Sequence, residues 1–108
     1  MTLRPVEFHI LLALAADDLH GYGLLQEVAS LTDGELQLEP GTLYRALHRM
    51  LKDGWVAESA RRPAADQDDE RRRYYRLTPA GRRIAVAEAE RLSRLVSLAR
   101  AHRLLARA

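Results

Sequence analysis

The sequence predicts a mainly α fold with a small β-hairpin, closed by one long helix. Three observations lead there. Apolar residues recur at helical spacing in three segments of the first half. The pattern then switches to alternation in RRRYYRLT, behind a polar loop with no apolar anchor. Finally, no helix breaker follows Gly81 in the rest of the chain.

Residues 5 to 16, PVEFHILLALAA, are apolar on nearly every side, so this first helix belongs at the centre of the core. Pro5 suits its first turn. The segment DDLHGYG interrupts the pattern. From Tyr22 to Leu31, the spacing of Leu24, Leu25, Val28 and Leu31 predicts a second helix. Asp33-Gly34 marks a turn in the connector TDGELQLE. The third helix, PGTLYRALHRMLK, has two unlike faces. Leu43, Leu47, Met50 and Leu51 point to a core, while Tyr44, Arg45, His48, Arg49 and Lys52 project from the other side. Pro40 fits a first helical turn and Gly54 fits the residue just past the end.

Trp55 to Ser59 and Arg71 to Thr78 are the two expected strands. In the second, Tyr75 and Leu77 share one face, with Arg72, Tyr74 and Arg76 on the other. RRPAADQDDE between them reads as a loop. Thr78-Pro79 supplies an N-cap and a first helical residue for the last helix. A helix from Pro79 to Arg107 would run about 43 Å at about 1.5 Å per residue. That is longer than so small a domain can cover. Leu92, Leu95, Leu98, Ala99, His102 and Leu105 form a stripe on it at spacings of three and four. The stripe fits pairing with a second copy; the alternative is a helix folded back on its own domain. The order of elements is that of a winged helix-turn-helix, residues 1 to 78, followed by a dimerisation helix, residues 79 to 108.

Composition narrows the function classes. A chain of 108 residues, 47% hydrophobic and 30% charged, holds one modest core. The longest apolar run, Ile10 to Ala16, is too short to span a bilayer, and the N-terminus lacks a signal-peptide layout. The absence of cysteine excludes disulfides, Cys-ligated zinc and thiol catalysis, and fits a cytoplasmic protein. No nucleophile sits in a strained glycine turn and no glycine loop cradles phosphate, so no enzyme is expected. His9, His20, His48 and His102 are scattered, and no metal or cofactor is expected. Net charge is +2 with a pI of about 9.4. Lys52 is the sole lysine, so arginine carries the positive charge. Arginine pairs with phosphates and guanine edges. A GC-rich genome would produce the same bias, so position weighs more than number.

A short helix anchored on one side and cationic on the other has the shape to enter a DNA major groove. Thr42 and Tyr44 are the expected donors to phosphate oxygens. Arg45, His48 and Arg49 are the candidates for base edges, with Lys52 beside them. Arg71, Arg72 and Arg73 can contact phosphates or a minor groove, or pair with the acidic loop beside them. In the HGYG turn, Tyr22 can pack against the third helix, and the helix start can also hold a phosphate.

Four landmarks resemble the PadR family of bacterial transcriptional regulators. His20-Gly21-Tyr22-Gly23 resembles its HGY turn, and Pro40-Gly41-Thr42-Leu43-Tyr44 its PGTLY entry into the recognition helix. Asp53-Gly54-Trp55-Val56 resembles its strand entry. Arg73-Tyr74-Tyr75-Arg76-Leu77-Thr78-Pro79-Ala80-Gly81 resembles its wing exit. A single tail helix resembles the short-tailed branch. Two departures stand out. Asp66, Asp68, Asp69 and Glu70 at the wing tip would repel phosphate, and Trp55 replaces a smaller aliphatic, which suits a packed aromatic. The family's ligand-stacking aromatics belong to the dimer interface, and this tail has none.

The resemblance implies a homodimeric repressor that binds double-stranded DNA at an inverted repeat and is released by a small-molecule effector. A winged helix used as a protein-interaction module, without specific DNA binding, is the rival expectation. No membrane partner is expected.

Overall fold

The computed structural model describes residues 3–59 and 73–106. Four helices and three short strands run α1 (Pro5–Ala16), β1 (Leu19–His20), α2 (Gly21–Leu31), α3 (Pro40–Lys52), β2 (Val56–Glu58), β3 (Tyr74–Leu77) and α4 (Pro79–Ala101). The mainly α fold with a small hairpin stands.

Helix α1 is the hub, packing against α2, α3, α4 and β3. Ile10, Leu11, Ala13 and Leu14 are buried, as a helix apolar on most sides requires; Leu12 is exposed. Helices α2 and α3 add Leu24, Val28, Leu43, Ala46, Leu47 and Met50 to the buried set. Trp55, Val56 and Tyr75 close it from the sheet side, so Trp55 is indeed a packed aromatic.

The hairpin gains a third strand. The sheet is antiparallel with order β1-β3-β2. Leu19 pairs with Tyr75 and His20 with Tyr74, while Val56 faces Leu77 and Glu58 faces Tyr75. Two residues are too few to show alternation, so β1 had no sequence signature. Asp18 helps secure this edge: its Oδ2 accepts from the Ser59 hydroxyl at 2.5 Å, at the end of β2.

Helices α2, α3 and α4 end alike. In each, the residue after the cap has positive φ: Asp33 (52°), Gly54 (79°) and Arg103 (65°). In each, the next backbone N–H reaches back to the third residue before the cap: Gly34 to Ala29, Trp55 to Met50, Leu104 to Ala99. This is the Schellman closure. Glycine makes it readable only in α3.

That explains one correction. Helix α4 stops at Ala101 instead of reaching Arg107, with His102 as its cap. It holds 23 residues, about 34 Å. His102 and Leu105 therefore lie past the last helical turn, off the stripe that sequence spacing drew. An arginine in the left-handed region gives no advance notice of a helix end.

Candidate nucleic-acid interface

The site is built at the corner where α3, the sheet and α4 meet. Gly54 turns the chain out of α3. The Trp55 carbonyl then accepts the Thr78 N–H at 3.1 Å. The Thr78 hydroxyl donates to the Gly54 carbonyl at 2.6 Å and accepts the Gly81 N–H at 3.0 Å, capping α4. Gly81 rests directly on Trp55. A Cβ there would collide with the Trp55 carbonyl oxygen and lie 2.9 Å from its carbonyl carbon. The DGW and TPAG motifs thus form one locked joint.

A second joint lies at the HGYG turn. His20 caps α2, its Nδ1 accepting the Gly23 N–H at 2.9 Å. Its ring meets Tyr74 of β3 edge-on at 5.1 Å between centroids, and Tyr22 at 6.5 Å. The turn therefore ties α2 to the sheet.

Between these joints α3 buries Leu43, Ala46, Leu47 and Met50. Over 13 residues it carries Arg45, Arg49 and Lys52 and no carboxylate. Arg45, His48 and Lys52 are exposed, and Thr42 is half-buried. Arg45 Nη2 lies 3.4 Å from the Thr42 hydroxyl, one turn earlier. Tyr44 is half-buried and packs against the core, so its ring serves the scaffold. Arg49 leans inward, its Nε 3.6 Å from Glu7 Oε2 on α1. Sequence reasoning missed Glu7, because one acid in an apolar helix gave no hint of a partner 42 residues on. Arg73 reaches across the sheet to Glu58 at 3.9 Å. Arg71 and Arg72 lie outside the described residues, as do Asp66, Asp68, Asp69 and Glu70.

The other notable surface is α4. Ile84 and Ala85 pack against the core. Beyond Leu92 every described residue is exposed except half-buried Ala99. Leu95 and Leu98 are about half exposed, at 49% and 53%. Val96, also exposed, shares an i,i+4 row with Leu92 and was missed by the predicted stripe. Phe8, Leu12 and Ala15 of α1 and Ala85, Val86 and Ala89 of α4 line an apolar groove of about 140 Å³. Among the described residues, no group of three His, Asp or Glu could hold a metal ion. No described helix is long and apolar enough to cross a membrane.

A helical trio with an exposed cationic third helix, a sheet beside it and a projecting last helix define a winged-helix protein of the transcription-regulator class. The pattern of the transcriptional regulator PadR-like family matches residues 10–87, and the chain belongs to that family. This is a family of regulators, not of enzymes, as the absence of catalytic motifs predicted. The chain is 42% identical over 77 residues to the transcriptional regulator Rv3488 of Mycobacterium tuberculosis, a match covering 71% of this chain and 65% of that protein. It thus spans just under two thirds of that relative's length. Its fold is similar to that of a transcriptional regulator from Clostridium thermocellum, with a TM-score of 0.70 and 27% identity over 86% of this chain and 84% of that one. It is also similar to Bacillus subtilis PadR in complex with operator DNA, with a TM-score of 0.66 and 16% identity over 80% of this chain and 47% of that one.

Proposed function

We infer that this regulator is a homodimeric, sequence-specific DNA-binding repressor acting on an inverted-repeat operator in the cytoplasm. The observation that carries the reading is the division of α3. Leu43, Ala46, Leu47 and Met50 are buried on its apolar side, with Leu51 half-buried beside them, while Thr42, Arg45, His48 and Lys52 occupy the opposite side with no acid among them. Thr42, Tyr44 and Lys52 serve phosphates and fix register; Arg45, His48 and Arg49 read base edges. Arg73, with Arg71 and Arg72, serves the wing side. The operator complex of Bacillus subtilis PadR supports the placement by fold likeness.

The dimer rests on the exposed outer half of α4. Leu92, Leu95, Leu98 and Ala99, with Val96, continue the face that Ile84 and Ala85 apply to the body. A second copy would cover them, and His102 and Leu105 flank that seam. Residues 1 to 78 are then the DNA-binding unit and 79 to 108 the dimerising one. Two α3 helices so yoked fit half-sites about one helical turn apart. A small molecule at the seam would release the operator by changing the distance between the two helices.

A gel-shift assay over a salt series tests the reading. Affinity should fall with a log–log slope of about −0.9 per phosphate neutralised. Binding that ignores salt, or that shows no sequence preference, would instead favour a protein-interaction module.

A further inference from the structure

Glu7 lies in the first turn of α1, in an otherwise apolar buried row, and is only 6% exposed. A carboxylate in such a place is costly unless its oxygens are matched. One is matched locally: Oε1 accepts the Arg4 backbone N–H at 2.9 Å. The other, Oε2, faces Arg49 Nε of α3 at 3.6 Å. That Nε is closed off from solvent and makes no hydrogen bond. Yet 40% of the Arg49 side chain is exposed. The arginine is therefore divided, with an inner edge drawn toward α1 by charge while the rest of the side chain reaches the surface beside Arg45 and Lys52. Leu3, buried in the core, secures the start of α1 that carries Glu7.

Resting on the reading of α3 as the DNA-reading helix, we propose that Glu7 is a positioning residue for sequence discrimination. It touches no DNA. It holds the Nε edge of Arg49 so that the outer edge of the guanidinium fork meets one base pair in the major groove. A shift of about 0.7 Å turns the Nε–Oε2 approach into a charge-assisted hydrogen bond. An arginine whose orientation is set beforehand loses less freedom on binding, and its planar fork accepts only the matching base edge. A wholly structural Glu7, serving the helix start and neutralising Arg49, would influence stability and leave base preference unchanged.

The test is selection of bound sites from random-sequence DNA by the full chain, comparing wild type, Glu7→Gln, Arg49→Ala and the double variant. Glutamine keeps the volume and an acceptor for the Arg4 N–H while removing the charge. Glu7→Gln and Arg49→Ala should lose preference at the same base positions, by about tenfold for a bidentate contact. The double variant should lose no more than Arg49→Ala alone. Unchanged preference in Glu7→Gln, or an equal loss for every sequence, overturns the proposal. Should Glu7→Gln fail to fold, the wild type still decides by NMR. The Arg49 Nε–H should exchange with water more slowly than that of Arg45, and equal rates overturn the assignment. A wild type that selects no sequence would sink the DNA reading itself, and this proposal with it. A selective wild type with an indifferent Glu7→Gln sinks the role of Glu7 alone.

Discussion

The corner at Trp55 and the outer half of α4 are opposites. At the corner, backbone and side-chain groups of α3, the sheet and α4 satisfy one another within a single chain. Thr78 alone makes three hydrogen bonds there, to Trp55, Gly54 and Gly81. Past Leu92, α4 has intact helical backbone and almost nothing against its side chains. Exposed leucine and valine in a row mark surface meant for covering. The difference teaches where this fold is self-sufficient and where it leaves apolar side chains uncovered. It also separates two uses of sequence motif, since the most recognisable residues build the joint and the exposed residues of α3 are ordinary ones.

The largest expected effect breaks the corner. Gly81→Ala puts a Cβ into the Trp55 carbonyl, and backbone cannot yield as a flexible side chain would. Urea unfolding should show a loss of about 3 kcal/mol, at the upper end of overpacking costs. An unchanged midpoint would mean that α4 is not seated on Trp55. The contrasting change, Leu95→Glu, should leave that midpoint nearly unaltered in dilute, monomeric protein, because Leu95 makes little of the chain's own core. Sedimentation should instead show self-association weakened at least tenfold, about 1.4 kcal/mol, and operator affinity falling with it. Stability lost without any change in association would show that the outer helix packs on its own body.

The two regions also differ in how far the residues announced them. The corner was legible in part: Gly54 and Thr78-Pro79 each carry local chemistry with one structural meaning. The close approach that makes Gly81 obligatory was not, because contact with Trp55 depends on tertiary placement. The apolar face of α3 was legible from spacing, and Ala46 joined it unannounced as a small residue filling a tight contact. Helix α4 was legible at its start and not at its end, where Arg103 takes a conformation usually left to glycine. Strand β1 is too short for any pattern and exists because β3 offers it an edge. At the site, sequence placed Arg45, His48 and Lys52 outward, as found, but also Tyr44, which packs against the core. It could not foresee that Arg49 would be drawn to Glu7, because helical periodicity describes one helix at a time.

The smallest effect probes the border between the two regions. Glu88 and Arg91 sit on α4 just before its side chains lose contact with the body. Arg91 grips the carboxylate with Nε at 2.8 Å and Nη2 at 2.7 Å. This hydrogen bonding, reinforced by charge, outweighs partial burial and holds the Glu88 carboxyl below its ordinary range. A group whose folded pKa is lowered adds stability that is present above its unfolded value and lost as pH falls through the folded one. The Arg91 side of the pair is open to solvent, so its share of stability is slight and the titration itself is the better readout. In an NMR titration of side-chain carboxyl carbons, Arg91→Ala should move Glu88 upward toward an ordinary glutamate. Leu98→Glu, a charge on the same exposed row as Leu95 but beyond the reach of Arg91, should leave it depressed, because the i,i+3 pair needs only local helix and not a second copy. A rise in Leu98→Glu as large as in Arg91→Ala would show the helix fraying back to the body when its partner leaves. The outer half of α4 would then be a structure made by dimerisation, rather than a rod standing ready for it.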